Sequence, residues 1–254
     1  MILVEVPVTS LEKTKGCERA PYEITKKLDE IWSNEEGKQL SYRIERIAEE
    51  NIFEKSIDIL KAAKGNEKVI FIGGDHSITF HTFKAFNACF EDSAIVVFDA
   101  HADCMKPKNI EKPNHEEWLR ILAEKFVDPK RIFLVGARNN DIEEIDFLKK
   151  SKINLFFVNE FAENLNNVKE LMESVRSFKN LYVSIDIEVV DPAFAPGTTY
   201  LEPAGFSARE IVYIIQHLKL LKNLKALDIV EVNPEKDING LTVKLAAKLI
   251  AEMK

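Results

Sequence analysis

The sequence predicts an α/β fold in three layers, α/β/α, around a mostly parallel sheet of about eight strands. Three observations carry that expectation. Apolar runs of strand length alternate along the chain with longer stretches whose apolar residues recur at helical spacing. Several of the short runs, such as Ala94-Ile95-Val96-Val97-Phe98, are apolar at every position, as strands covered on both faces must be. With 254 residues, 46% of them hydrophobic and 30% charged, the chain can bury about three quarters of its unfolded surface in one domain over residues 1–254.

In order, residues 2–8 are a short apolar run closed by Pro7 and Thr9, a first strand. Residues 15–21 read as a loop, and Pro21 suits the first turn of a helix reaching about residue 34. Over 39–47, Leu40, Tyr42 and Ile44 alternate with polar residues, the period of a strand. Phe53, Ile57, Leu60 and Ala63 then mark a helix over 53–64. A strand over 68–72 runs straight into Gly73-Gly74-Asp75-His76-Ser77 and a helix carrying Ile78, Phe80, Phe83 and Phe86. The strand at 94–98 is followed by a polar loop over 104–113 and a helix over 116–126. Strands at 131–135 and 153–158 alternate with helices at 141–150 and 164–178. A strand over 181–187 leads into a Pro/Gly-bearing loop ending at Gly205. Ser207 and Glu210 have capping-box spacing for a helix through 221, and a strand over 224–232 and a helix over 241–253 close the chain.

Composition removes several classes of function. A net charge of −7, with no basic segment, leaves nothing to meet a phosphate backbone, whereas an acidic site suits a cationic substrate. Cys17, Cys89 and Cys104 are few, odd in number and irregularly spaced, which points to free thiols in a reducing compartment. The first residues lack the basic start and apolar length of a signal peptide, and no apolar run approaches a membrane span, so a cytoplasmic enzyme is expected.

Three strand ends carry the acids and imidazoles that lack an obvious structural task. After the third strand comes Gly73-Gly74-Asp75-His76-Ser77, which alone reads equally as a glycine turn with a capping Asp75 or Ser77. After the fourth come Asp99, His101 and Asp103 at i, i+2 and i+4; extended backbone would put all three on one side of the chain. The strand from 181 ends in Ser184-Ile185-Asp186-Ile187-Glu188, where the acids are again two apart. Ligands of open parallel sheets sit outside the carboxyl ends of the strands, so the three segments can share one crevice. Four carboxylates (Asp99, Asp103, Asp186, Glu188) balance two divalent cations, and His76 and His101 complete a mostly oxygen shell that favours manganese over zinc. Two such ions can share a water and bring its pKa toward neutrality. His115, on a loop entering a helix, is a candidate proton shuttle or an ordinary capping histidine. His81 and His217 fall in helical patterns and read as structural. Glu231 ends the last strand, where it would hold a cationic group or sit as a surface carboxylate.

These segments, with Asp191-Pro192-Ala193-Phe194-Ala195-Pro196-Gly197 and Asp228-Ile229-Val230-Glu231-Val232-Asn233-Pro234, resemble the ureohydrolase (arginase/agmatinase) family in order from Gly16 to the C-terminus. The resemblance implies an arginase-like sheet and two Mn²⁺ per subunit. His76 and Asp103 would hold one ion, His101 and Glu188 the other, and Asp99 and Asp186 would bridge. An activated water would attack the guanidinium carbon to release urea, and Asp103 would help protonate the leaving amine. His115 falls at the family's shuttle position and Glu231 at that of the guanidinium-gripping acid, with Asn114 beside them on the substrate side. Trimers or hexamers are the family's usual assembly.

The chain also departs from the family pattern. Glu188 stands where Asp is usual, Glu116 where Gly is usual, and Gly197-Thr198-Thr199-Tyr200-Leu201 replaces a Gly-Thr-Gly-Thr-Pro run. The loop over 104–114 lacks the Asn/Ser/Thr-rich pattern by which arginases hold the amino-acid end of arginine. The expected activity is therefore agmatinase-like hydrolysis of a small guanidino compound. Arginine hydrolysis, a formimino or amide-type C–N hydrolysis, and a catalytically silent metal-binding member are the alternatives.

Overall fold

A computed structural model describes residues 1–63, 67–163 and 166–254 of the chain. Its centre is an eight-stranded sheet in the order β2-β1-β3-β8-β7-β4-β5-β6, with every neighbouring pair parallel. The strands are β1 (Ile2–Val6), β2 (Arg43–Arg46), β3 (Val69–Gly73), β4 (Ser93–Phe98), β5 (Ile132–Val135), β6 (Asn154–Phe156), β7 (Asn180–Asp186) and β8 (Leu224–Val230). The helices are α1 (Ala20–Leu28), α2 (Ile52–Ala63), α3 (Ser77–Cys89), α4 (Trp118–Ile121), α5 (Ile142–Lys150), α6 (Val158–Glu163), α7 (Asn166–Arg176), α8 (Ala208–Leu218) and α9 (Leu241–Glu252).

The apolar runs become strands buried on both faces. Every residue of β1, β3, β4 and β5 is buried. Because alternate side chains of a strand point to opposite faces, each run feeds two cores. Leu3, Ile70, Ile72, Val96 and Phe98 pack with α1, α7, α8 and α9. Ile2, Val4, Phe71, Ile95 and Val97 pack with α2, α3 and α4. The edge strand β2 is largely exposed and carries Arg43, Glu45 and Arg46, charges that discourage pairing with another sheet. Among the described residues no helix is long and apolar enough to cross a membrane.

Element ends depart from the periodicity where side chains take over backbone partners. The helix expected to reach residue 34 stops at Leu28, and Asn34 forms a turn by accepting from the backbone N–H groups of Glu36 and Lys38. The strand expected over 153–158 ends at Phe156. There Glu160 accepts from the Phe157 N–H and Val158 opens α6. The helix expected over 116–126 is α4 followed by a π-helical turn, Leu122–Phe126. The helices expected over 53–64 and 164–178 are α2 and α7; positions 64, 164 and 165 lie outside the described residues.

The strand order decides where chemistry can occur. β3, β8, β7 and β4 are consecutive in the sheet although far apart in sequence, so the segments following each of them emerge side by side. Gly74 closes this corner. Its N–H donates to Val6 O at 3.1 Å, and its carbonyl accepts from the Glu231 N–H at 2.8 Å. A Cβ at Gly74 would lie 2.0 Å from Val8 O. Because backbone obstructs that space, Gly74→Ala is expected to cost about 1–3 kcal/mol, read as a lower urea midpoint at unchanged m-value.

Candidate metal centre and active-site cleft

His76 is the last residue before α3, and its Nδ1 faces three carboxylates. It lies 2.9 Å from Asp103 Oδ2, 3.0 Å from Asp99 Oδ2 and 3.2 Å from Asp186 Oδ2. His76 Nδ1 and Asp99 Oδ2 are both buried without a hydrogen-bond partner. Buried polar atoms left unpaired and aimed at one point are costly unless something occupies that point. The donor atoms of His76, Asp99 and Asp103 lie within 4.8 Å of one another, close enough to share a metal ion. A second group adjoins the first: His101 Nδ1 lies 3.4 Å from Glu188 Oε2 and 3.7 Å from Asp99 Oδ1. Four carboxylates and two imidazoles suit a hard divalent cation.

The convergence is achieved by turns and not by extended backbone. β4 ends at Phe98, Asp99 Oδ1 accepts from the His101 N–H at 2.8 Å, and Asp103 has φ of +51°. β7 ends at Asp186, whose Oδ1 accepts from the Glu188 N–H at 2.7 Å to start a 3₁₀ turn over Ile187–Val189. Each first acid thus caps the turn that delivers the next donor. Glu231 also sits at positive φ, +63°. Such conformations cost a non-glycine residue of order 1–2 kcal/mol and collect at functional sites.

Neighbours hold the donors in place. His76 Nε2 lies 3.0 Å from Ser184 Oγ, which donates to Asp228 Oδ1 at 2.6 Å. Asp228 also accepts from the hydroxyls of Tyr182 at 2.7 Å and Thr79 at 2.9 Å. If His76 donates to Ser184, its Nδ1 is left free to bind a metal, the arrangement usual for ligating histidines. The Trp118 ring lies tilted against His76, centroids 4.7 Å apart, and donates from Nε1 to Asp103 Oδ2 at 2.7 Å. Glu188 Oε1 accepts from the Tyr200 N–H, and His101 Nε2 lies 3.3 Å from Glu202 Oε1.

Electrostatically the site carries surplus negative charge. Burial, reinforced by Asp99, holds the Asp103 carboxyl above its usual range. Burial with Asp99 and Glu188 raises Asp186 well above it. Burial opposes protonation of His101, but Glu188, Asp99 and Asp103 outweigh it and push its pKa up to about 10. Burial, with Asp186, Asp75 and Glu188, raises Glu231 well above its ordinary value. Glu231 Oε1 accepts from the His76 N–H at 2.8 Å, and the Cys17 thiol points at Oε2 from 3.8 Å.

Of these groups His101, Asp103, Asp186, Glu188 and Glu231 line a cleft of about 440 Å³, while His76 and Asp99 are not among its lining residues. Eight carboxylates border it (Asp103, Glu116, Asp141, Glu144, Asp186, Glu188, Glu202 and Glu231), together with His101, His115 and Tyr200; among the described residues no Lys or Arg lines it, and Lys13 at its edge pairs with Glu116 and lies 5.4 Å from the Tyr200 ring centroid. His115 is buried, with its ring 6.5 Å from that of Tyr200. Asn114 is not among the lining residues; it borders the adjoining pocket and its Oδ1 accepts from the Glu116 N–H. His81 is half-buried beside Lys84, with its pKa lowered to about 4 by that burial, then by the lysine charge. His217 bonds the Tyr213 carbonyl within α8. Sequence reasoning did not single out Tyr200, Glu202, Trp118 or Asp228 for the site. Only Asp228, an acid inside an apolar strand, left a signal.

The chain matches the model of the Arginase family over residues 1–254. It is 33% identical over 187 residues to an agmatinase of Halalkalibacterium halodurans, covering 72% of this chain and 62% of that protein. It is 32% identical over 194 residues to proclavaminate amidinohydrolase of Streptomyces clavuligerus, covering 75% and 62%. The chain thus spans about three fifths of the length of these curated relatives. The crystal structure of formimidoylglutamase from Bacillus subtilis superposes with a TM-score of 0.89 at 23% identity, covering 99% of this chain and 85% of that one, and so shares the fold.

Metal binding is expected to displace protons from these donors, so affinity rises with pH. With Mn²⁺ at about 100 times its Kd, stabilisation is about 2.7 kcal/mol. That is a Tm increase of about 5–10 °C for a chain of this size. Scanning fluorimetry with and without Mn²⁺ should show this shift at pH 8, a smaller one at pH 5.5, and its reversal by chelator.

Proposed function

We propose that this chain, which belongs to the arginase family, is a metal-dependent hydrolase that releases urea from a small guanidino compound, with an agmatine-like guanidino amine as its substrate. One observation carries the choice of substrate: eight carboxylates border the cleft, and Lys13 at its edge is already paired with Glu116 and lies over the Tyr200 ring. A guanidinium and a distal ammonium both find negative partners there, whereas a distal carboxylate would have to compete with Glu116 for Lys13. That ranks arginine second. A formimino substrate with an acidic tail ranks lower for the same reason, despite the shared fold of formimidoylglutamase.

In this reading His76, Asp99, His101, Asp103, Asp186 and Glu188 would hold a pair of divalent ions, and the oxygen-rich donor set would favour manganese. When bound, such a pair supplies an acidified water as nucleophile and offsets charge developing at the reacting carbon. The chain's own residues do the rest. Glu231 accepts from the guanidinium through the lone pairs left free by His76 N–H and Cys17, orienting the reacting carbon. Its αL backbone turns the carboxylate into the cleft beside the donors. His115 Nε2, buried and without a hydrogen-bond partner, is a site for the proton bound for the leaving amine. Asp103, fixed by Trp118, helps to pass that proton. The extra methylene of Glu188 is accommodated because the Tyr200 N–H ties down its second oxygen at 2.7 Å. The same reading includes a homo-oligomer, trimer or hexamer.

Urea release from the Mn²⁺-loaded protein, assayed with agmatine, arginine and formiminoglutamate, tests the proposal. Agmatine should give the highest kcat/KM. Glu231→Gln should lower it by about 2–5 kcal/mol of transition-state binding, and His115→Ala should lower kcat by about 100-fold or more. No urea from any guanidino compound would overturn the reading; ammonia or formamide without urea would select the formimino alternative.

A further inference from the structure

We infer that Ser10 and Asp75 form a buried relay that locks the imidazole of His115 in the Nδ1–H tautomer and so presents a bare Nε2 lone pair to the cleft. The inference rests on the proposed role of His115 as proton carrier, and both relay residues are positioning residues. The three come from different parts of the chain: Ser10 follows β1, Asp75 follows β3 and His115 precedes α4.

The argument is a count of protons. The Asp75 carboxylate is fully buried, and four donors converge on it together with the Thr14 hydroxyl, whose one proton is shared with the Leu11 carbonyl at 2.8 Å. Oδ2 accepts from the Ser10 N–H, from the Ser10 hydroxyl at 2.7 Å and from the Thr14 hydroxyl at 2.8 Å. Oδ1 accepts from the Ser77 N–H at 3.1 Å and from the Ser77 hydroxyl. A carboxylate so surrounded acts only as an acceptor. The single hydroxyl proton of Ser10 is therefore committed to Asp75, and Ser10 Oγ can only accept from its other neighbours. One of these is the His115 backbone N–H at 3.1 Å. The other is His115 Nδ1 at 3.2 Å, which must then carry a proton and donate it. Rotating the hydroxyl toward Nδ1 would leave two bare oxygens 2.7 Å apart.

A neutral imidazole protonated on Nδ1 has its lone pair on Nε2. That atom is buried and has no hydrogen-bond partner, and Glu116 Oε1 is 4.0 Å away. The ring is thus anchored on one side and left with an unanswered acceptor on the side facing the cleft. Asp75 lies next to His76, so the segment that places a metal-facing imidazole also places the anchor of the second imidazole.

The experiment is ¹⁵N NMR of protein labelled at histidine and loaded with diamagnetic Mg²⁺, paired with turnover of the Mn²⁺-loaded form. In the unsubstituted protein His115 should show a protonated Nδ1 and a bare Nε2. Ser10→Ala should move it toward the Nε2–H form and lower kcat roughly 10- to 100-fold with KM nearly unchanged. Ser10→Thr, which keeps the hydroxyl, should retain the tautomer and most of kcat. An Nε2–H tautomer in the unsubstituted protein, or an unaltered His115 spectrum in a folded Ser10→Ala protein, overturns the relay. The tautomer decides the relay; the turnover of His115→Ala separately decides the role on which it rests.

Discussion

Mutual repulsion among acids gathered at the carboxyl ends of β3, β8, β7 and β4 is the constraint on which the rest of this molecule depends. Three adjacent strands, β8, β7 and β4, deliver Asp99, Asp103, Asp186, Glu188 and Glu231 into one buried region, and β3 beside them brings Asp75 and His76. Such a collection is tolerable only if its charge is neutralised and its oxygens are satisfied. The surroundings meet the second need: Trp118, Tyr200 N–H, His76 N–H and the backbone of the two capped turns each take a specific lone pair. The first need is left to protons or to cations, and the unpaired His76 Nδ1 and Asp99 Oδ2 mark where a cation fits.

Rigidity around this region comes from packing too close for any added atom. Gly74 lies against the Val8 carbonyl, and a Cβ at Gly136, where φ is +103°, would lie 2.6 Å from the Val189 side chain and 3.0 Å from Asp99 O. Beneath the metal-facing groups, Asp228 gathers hydroxyls from Thr79, Tyr182 and Ser184, tying α3, β7 and β8 together through a polar knot inside an apolar sheet. Left-handed backbone at Asp103 and Glu231 is sustained by this framework.

The fold was legible because its sheet is buried on both faces: uniformly apolar runs such as residues 94–98 have no other use in a chain of this composition. Element ends were less so, since they depend on single side chains such as Asn34 and Glu160 capturing backbone groups. The residue types of the candidate site could be read from the i, i+2, i+4 acids, but the reason they meet could not. Alternation suggested extended strands, whereas the chain leaves the sheet at Phe98 and Asp186 and brings the donors together through capped turns. Ser10 and Glu202 were invisible because their importance is purely spatial: they lie about a hundred residues from the histidines they touch.

The position of Trp118 gives the molecule a built-in optical reporter. Its indole is fully buried, tilted against His76 and bonded to Asp103, while the other tryptophan, Trp32, is 87% exposed. Their emissions should therefore differ in colour, the buried ring to the blue and the exposed ring to the red. A paramagnetic ion held by His76 and Asp103 would dim the blue component and spare the red, so occupancy could be followed by light from the unlabelled protein.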